Sequence, residues 1–367
     1  MEAGVRVWCH KKKRENFFLR AITRRRRDSV LKIERRFTMM ARPATPGGAM
    51  YEHLRSRLQR REPILLDGAN GTELVRRGVR WRKHGLLTDT EAVEQLHRDY
   101  LAAGSDIIRT NTFQLNPRIF LNVFRNREHM RHIGAPGLED LAPRLLRTSV
   151  RLARQARAKA GREGTAAIAG VLSPLEHCFR PDLAPPAEQA RREHVELALV
   201  FAEGTVDFLL LESMNTIGEA KAALAAGRAT GLPVWVSFVL GPEGELLSRE
   251  SLGQAAAEME RGGAEAVLVN CAPPPDTTRA LATLKRSCSL PVGAFAHIGR
   301  FSPPSWKFEF FPQFTDSEEW PPARYASEAK RWREEGATIL GGCCGTGPAH
   351  IGALRAWLAT DGRSVTA

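Results

Sequence analysis

Near the end of the chain, residues 337–345 read ATILGGCCG. The short apolar run predicts a buried strand, and the glycines around the two adjacent cysteines predict a turn directly after it. Neighbouring side chains on a regular strand point to opposite faces. Cys343 and Cys344 can therefore converge on one point in space only where the strand ends. The stretch predicts a strand that delivers two sulfurs to the edge of a sheet.

A third sulfur occurs upstream in the same setting, at residues 267–275, which read VLVNCAPPP. The β-branched apolar run ends at Cys271, and the prolines that follow stop strand pairing. Three thiolates at strand ends would form a zinc site with one open position. For any single cysteine the alternative is packing, because free cysteine is a common small core residue. A disulfide between the adjacent pair would be strained.

Eight apolar runs alternate with helix-like segments, which predicts a parallel α/β sheet. Eight strands of this kind close a (β/α)8 TIM barrel, and residues 50–360 have an ordinary length for one. The active site of that fold lies at the carboxyl ends of the strands. The metal-competent or polar residues at predicted strand ends are Asp67, Thr110, Glu212, Cys271, Cys343 and Cys344. This convergence favours zinc binding by the cysteines.

Two of these residues also have simpler interpretations when each is taken alone. Asp67 could belong to an ordinary turn between a strand and a helix, with Thr72 as the helix cap. Glu212 could be an exposed loop residue, although a carboxylate so close to a buried strand usually needs a partner. Only the shared position at one edge of the barrel argues for a site.

The basic character of the chain is confined to its N-terminus. The formal net charge is +13, and residues 1–50 carry fourteen Lys and Arg against four Asp and Glu, which leaves only +3 for the rest. We predict that residues 1–49 are a basic, disordered extension and that residues 361–367 are a loose tail. The alternative is an RNA-binding or targeting arm at residues 11–27, which would make the chain a nucleic-acid-binding protein.

Cysteine usage and hydropathy favour a cytoplasmic protein. The six cysteines are unevenly spaced and do not resemble a disulfide framework. No apolar run approaches the about 18 residues of a membrane span, and the N-terminus lacks a secretory signal. We expect small-molecule substrates, no membrane partner and no nucleic-acid partner, and the oligomeric state stays open.

One connection is long for this kind of fold, at residues 300–324. It contains Trp306, Phe308, Phe310, Phe311 and Trp320, which make it rich in aromatic residues. Such a segment could cover a cationic substrate, because aromatic faces attract sulfonium and ammonium groups. It could equally seal the barrel mouth or form a subunit contact.

Four motifs in order resemble the zinc-dependent homocysteine S-methyltransferase family: DGANGT at 67–72, TNTF at 110–113, Asn270-Cys271, and GGCCG at 341–345. The resemblance covers about residues 60–355. It implies a zinc ion bound by Cys271, Cys343 and Cys344, with the homocysteine sulfur as a further ligand. It also implies that the amino-acid end of homocysteine is held by Asp67, the Gly68 backbone, Thr110 and Glu212. No catalytic residue beyond the metal centre is predicted.

The identity of the methyl donor follows less directly from the resemblance. The betaine branch of the family carries tyrosines at the positions that Ser213 and Gln114 occupy here, which favours S-methylmethionine or a related sulfonium. The aromatic connection at 300–324 resembles the betaine branch, so betaine is the alternative donor. A zinc hydrolase on the same fold is a weaker alternative, because such sites favour histidine and carboxylate ligands.

Overall fold

Eight parallel strands form a ring that helices surround. The computed structural model describes residues 48–79, 83–118, 137–241, 243–302, 313–315 and 317–361. The strands of the ring are β1 (Ile64–Leu65), β2 (Ile107–Arg109), β3 (Ala167–Leu172), β4 (Phe208–Met214), β5 (Val234–Val239), β6 (Ala266–Asn270), β7 (Val292–Ala296) and β10 (Ile339–Gly342). Two further strands, β8 (Arg300–Ser302) and β9 (Gln313–Thr315), form a separate antiparallel pair.

Strand pairing closes the ring. Consecutive strands pair in parallel from β2 to β7, β7 pairs with β10, and β10 pairs with β1. A parallel bridge between Leu66 and Ile107 joins β1 to β2, and the Asp67 amide donates to the Ile107 carbonyl at 3.0 Å. The predicted (β/α)8 TIM barrel is therefore confirmed.

Helices occupy the connections between strands. They are α1 (Gly48–Gln59), α2 (Gly71–Arg76), α3 (Thr90–Ala102), α4 (Leu141–Lys159), α5 (Ala187–Gly204), α6 (Ile217–Arg228), α7 (Leu252–Gly262), α8 (Pro274–Ser287), α9 (Pro322–Glu334) and α10 (Pro348–Asp361). Two begin with hydroxyl caps, because Thr216 Oγ1 and Ser251 Oγ accept from backbone amides in the first turn. Thr72 does not cap α2; its hydroxyl accepts from the Gly345 amide.

The strand period of two divides the core into two layers. Along β4, Phe208 and Leu210 face the barrel interior, whereas Leu209 and Leu211 pack against the surrounding helices. Helix α1 closes the amino end of the barrel, where Trp235 Nε1 donates to the Tyr51 hydroxyl at 2.9 Å. The carboxyl ends of the strands thus form the opposite end of the barrel.

The long connection predicted at residues 300–324 contains the β8–β9 hairpin. Of the five aromatic residues named above, four, at positions 306, 308, 310 and 311, lie outside the described residues. The fifth, Trp320, is buried, and the Arg324 guanidinium lies over its ring at 4.3 Å from the centroid. Packing accounts for this ring.

Both predicted terminal segments fall almost wholly outside the described part of the chain. Of residues 1–49, only Gly48 and Ala49 are described, as the start of α1, and the last described residue is Asp361. Among the helices that are described, none has the length and apolarity needed to cross a membrane.

Candidate metal centre and substrate pocket

Three sulfurs from two strands meet at the carboxyl end of the barrel. The Sγ atoms of Cys271, Cys343 and Cys344 all lie within 4.8 Å of one another. Cys271 directly follows β6, and the other two follow β10. The clustering is the arrangement that the strand-end pattern predicts. All five cysteines in the described residues are free thiols, so none of these sulfurs is in a disulfide.

Cys271 has an unusual backbone conformation, which changes the direction of its side chain. Its φ is 53°, in the left-handed region that residues other than glycine rarely adopt. On a regular strand the side chain of Cys271 would point away from that of Asn270, which points into the barrel at its carboxyl end. The left-handed turn lets both side chains face the site. A strained backbone of this kind is common at binding sites.

Glycines and backbone hydrogen bonds fix the turn that carries the cysteine pair. A Cβ on Gly341 would lie 2.6 Å from Leu66 Cβ, so only glycine lets β10 approach β1 this closely. The Cys343 amide donates to the Ala296 carbonyl at 2.9 Å, and the Cys344 carbonyl accepts from the Ile298 amide at 3.0 Å. The turn is thereby tied to the end of β7.

The three sulfurs fit a zinc ion. Zinc–sulfur bonds of about 2.3 Å in a tetrahedral site separate the sulfurs by about 3.8 Å, and the three sulfurs here lie within 4.8 Å of one another. Hydrogen bonds from Cys271 and Cys344, with the Arg109 guanidinium nearby, lower the pKa of Cys343 well below its usual range. The bond to Cys343 raises the pKa of the Cys271 thiol. The lowered pKa favours the thiolate form of Cys343, and a bound zinc ion would favour loss of the other protons.

A buried arginine joins the two predicted carboxylates. Arg109 is the last residue of β2, and its Nε donates to Asp67 Oδ1 at 2.6 Å while its Nη1 donates to Glu212 Oε2 at 3.0 Å. Its Nη2 donates to the carbonyls of Gly68 and Gly342, both at 2.7 Å. The structure therefore brings Asp67, Gly68 and Glu212 together around one cation.

Burial dominates the electrostatics of the two carboxyl groups. It raises the pKa of Glu212 to about 7, although the Arg109 charge opposes the shift. Burial also raises the pKa of Asp67, again against the opposing charge of Arg109. An unpaired carboxylate at this depth would favour its neutral form, so Arg109 is what allows these groups to ionise together.

Thr110, the next predicted site residue, uses its hydroxyl within the protein. Its Oγ1 accepts from the Val171 amide at 2.9 Å and shares a hydrogen bond with Thr112 Oγ1 at 2.8 Å. Thr110 is adjacent to Arg109 at the same strand end, but its side chain joins β2 to β3. Gly68 has no room for a side chain, because a Cβ there would lie 2.9 Å from the Tyr100 ring.

Asn270 connects the carboxylate side of the site to the sulfurs. Its Nδ2 donates to Ser213 Oγ at 2.6 Å and lies 4.0 Å from Cys343 Sγ. Ser213 directly follows Glu212, at an irregularity in β4, and has a left-handed φ of 61°. Sequence reasoning assigned no role to Arg109 or to the Asn270 side chain. The alternation of side chains along β2 could have indicated the position of Arg109. Ile107 faces the barrel interior, so Arg109, two residues later, faces the interior as well.

Comparison with known proteins agrees with this geometry. A family model described as homocysteine S-methyltransferase matches residues 64–358. Betaine–homocysteine S-methyltransferase 1 of Bos taurus is 28% identical over 325 residues, which cover 83% of this chain and 74% of that protein. S-methylmethionine–homocysteine S-methyltransferase BHMT2 of Pongo abelii is 27% identical over 323 residues, covering 83% and 81%. The metallated form of the homocysteine methyltransferase MmuM from Escherichia coli superposes with a TM-score of 0.66 at 25% identity, covering 83% of this chain and 99% of that one.

Proposed function

Because this chain belongs to the homocysteine S-methyltransferase family, we propose that it transfers a methyl group from a small onium compound to the sulfur of L-homocysteine at a zinc site. The chain is a methyltransferase; the zinc, the donor and the residue roles are the proposal. The observation that carries it is the cluster of Cys271, Cys343 and Cys344 at the carboxyl end of the barrel. Three thiols in this position would hold zinc with one position left for a substrate sulfur.

The bound ion would supply one piece of chemistry, which is to keep a thiol substrate in its thiolate form at neutral pH. The protein residues prepare for this. Cys343 has a lowered pKa, and the Asn270 amide points toward its sulfur. Amide hydrogen bonds to thiolate ligands orient them and adjust their basicity.

The amino-acid end of homocysteine would bind beside Arg109, next to Asp67, Gly68, Thr110 and Glu212. Asp67 and Glu212 supply negative charge for the substrate ammonium group. Arg109 bonds the Gly342 carbonyl directly before the cysteine pair, so the pocket for the ammonium and the sulfurs share one rigid support.

The transfer itself needs no acid or base from the protein. The homocysteine sulfur forms a bond to the methyl carbon while the bond from that carbon to the onium atom breaks. The electron pair of the broken bond stays on the onium atom, which leaves neutral, and methionine is the second product. Because the thiol proton is lost before this step, the protein has mainly to align sulfur and methyl carbon.

For the donor we propose S-methylmethionine or a related sulfonium, with betaine as the alternative. Two positions support this choice. Ser213 accepts from Asn270, and Gln114 donates its backbone amide to Ser173 Oγ at 2.8 Å, so neither place offers an aromatic ring to a quaternary ammonium group. The curated relatives do not separate the donors, because the betaine and S-methylmethionine enzymes are 28% and 27% identical to the chain.

A reducing compartment such as the cytoplasm suits this chemistry. Three free thiols within 4.8 Å of one another would oxidise readily outside such a compartment, and a disulfide among them would remove the metal ligands. The partners that we propose for the enzyme are its two small substrates, homocysteine and the methyl donor.

The deciding experiment is a methionine-formation assay with zinc-loaded protein and L-homocysteine, run separately with S-methylmethionine, betaine and S-adenosylmethionine. The proposal expects methionine from at least one donor and the highest kcat/KM with S-methylmethionine. A higher kcat/KM with betaine would overturn the donor assignment alone. No methionine from any donor would overturn the proposed function.

A further inference from the structure

The carboxylates of Asp67 and Glu212 differ in whether they have an oxygen free to bind a ligand. Asp67 is 0% exposed, and both of its carboxylate oxygens are occupied. Oδ1 accepts from Arg109 Nε at 2.6 Å, and Oδ2 accepts from the Arg109 backbone amide at 2.9 Å. Glu212 Oε2 also accepts from Arg109, but Glu212 Oε1 has no hydrogen-bond partner among the described residues. Of the two groups, only Glu212 offers a free oxygen.

Arg109 makes more contacts than a single ion pair with one carboxylate. Its guanidinium also donates to the carbonyls of Gly68 and Gly342 and lies over the Phe295 ring, 4.9 Å from the centroid. The side chain is 3% exposed. A guanidinium with acceptors on several sides is fixed in orientation. It cannot swing away to release Asp67 without leaving several buried groups unpaired.

The charges of this cluster sum to a single negative charge. Asp67 and Glu212 contribute one negative charge each when ionised, and Arg109 contributes one positive charge. The site therefore matches one substrate cation. If Asp67 were neutral, Arg109 would cancel Glu212, and the attraction for an ammonium group would be lost.

We propose that Glu212 alone contacts the ammonium group of the thiol substrate, and that Asp67 acts on the substrate only through Arg109. Arg109 and Asp67 are positioning residues: Asp67 offsets the arginine charge, and Arg109 holds the Glu212 carboxylate with Oε1 free. This division of roles deepens the proposed function and rests on it for the identity of the substrate. It makes Arg109 a determinant of specificity for thiols that carry an amino group.

The test is a double-mutant cycle on the zinc-loaded protein, with homocysteine affinity measured by calorimetry at about pH 8, above the pKa of Glu212. Asp67→Asn leaves Glu212 cancelled by Arg109 and should weaken homocysteine binding about tenfold or more. Arg109→Met removes the support of the Glu212 carboxylate and should also weaken binding, but adding Asp67→Asn to R109M should change the affinity by less than about threefold, because Asp67 acts only through Arg109. Glu212→Gln should weaken binding as much as Asp67→Asn does.

The effect of Asp67→Asn in the R109M background decides the proposal. If Asp67 contacts the ammonium group directly, D67N/R109M binds homocysteine about tenfold or more weakly than R109M, and the proposal is wrong. A homocysteine affinity of R109M equal to that of wild type also contradicts it. 4-Mercaptobutanoate, which has the thiol and carboxylate but no ammonium group, is the control ligand. Its affinity should not fall in E212Q, and a fall as large as that of homocysteine would overturn the role of Glu212.

A further variant keeps the proposal testable if D67N/R109M does not fold. Arg109→Lys keeps the charge but cannot reach all of these acceptors at once, so it should raise the homocysteine KM with zinc content and donor KM unchanged. A wild-type homocysteine KM in R109K would overturn the positioning role. The binding assay also distinguishes a failure of this inference from a failure of the proposed function. Wild-type protein that binds homocysteine but makes no methionine contradicts the proposed function alone, whereas wild-type protein that does not bind homocysteine overturns both.

Discussion

The side-chain amide of Asn270 directs its nitrogen toward the sulfur of Cys343 across 4.0 Å, while the same nitrogen donates to Ser213 Oγ at 2.6 Å. Asn270 is completely buried at the end of β6. An N–H group aimed at a thiolate supports the charge on sulfur and fixes the direction of the ligand. The side chain thus couples the end of β6, which supplies Cys271, to the cysteine pair after β10.

This relationship predicts a loss of metal affinity when the amide is removed. Asn270→Leu, which keeps a similar volume, should lower zinc affinity about 10–100-fold, as measured by competition with a chelator. Asn116→Leu is the matched control, because Asn116 is also buried and its side-chain amide donates to the Leu175 carbonyl at 3.0 Å rather than to a cysteine sulfur. Equal zinc affinity in N270L and wild type would show that the Asn270 contact has no role in metal binding.

The metal ligands themselves give a stronger prediction. Cys343→Ser should reduce bound zinc to below about 0.2 per chain and abolish methionine formation, because a serine hydroxyl is a poor zinc ligand. Cys288→Ser should change neither, since that thiol lies at the end of α8 and donates to the Leu284 carbonyl at 3.5 Å. Metal analysis and the methionine assay are run on the same samples. Full activity in C343S without zinc would reject the metal assignment.

The barrel and the sulfur cluster were predictable from sequence because both depend on local patterns. An apolar run followed by glycine or proline shows where a strand ends, and in this fold every strand end lies at one edge. The Arg109 network was not predictable in the same way. Its partners Asp67 and Glu212 are 42 and 103 residues away, so only the closed ring brings them together. The left-handed backbone at Cys271 is likewise a product of the fold rather than of its sequence.

The raised pKa of Glu212 predicts a pH dependence of substrate binding. Burial raises this pKa to about 7, and only the ionised carboxylate accepts a hydrogen bond from an ammonium group. Homocysteine affinity, expressed relative to 4-mercaptobutanoate, should therefore increase about tenfold from about pH 6 to about pH 8. Glu212→Gln should flatten this ratio. A ratio in E212Q that still follows the wild-type pH profile would assign the titration to another group.

The same shift has a consequence for stability, with the opposite dependence on pH. A carboxyl group whose pKa rises from its usual value of 4.5 to about 7 on folding binds its proton more tightly in the folded state. Its contribution to the free energy of unfolding is fully present below about pH 4.5 and is lost as pH rises through about 7. Chemical denaturation of the wild type between these values should show the decline, and E212Q should show less of it. An identical decline in both proteins would contradict this linkage.

The N-terminal extension is predicted to be dispensable for catalysis. Deleting residues 1–47 keeps α1, whose Tyr51 bonds Trp235 and Glu265 at the amino end of the barrel. The kcat for methionine formation should stay within about twofold of the full chain, because the residues of the candidate site all lie between Asp67 and Cys344. A larger loss would show that the extension takes part in the enzyme. RNA binding that weakens with salt and depends on residues 11–27 would support a nucleic-acid role for it.

The central claim, that three cysteine sulfurs hold a zinc ion to which homocysteine adds its own sulfur, is tested most directly by X-ray absorption at the zinc edge. The predicted spectrum of the zinc-loaded protein shows three sulfur ligands at about 2.3 Å, and addition of homocysteine raises the sulfur count to four. A spectrum dominated by nitrogen and oxygen ligands, or a sulfur count that homocysteine leaves unchanged, would contradict the account.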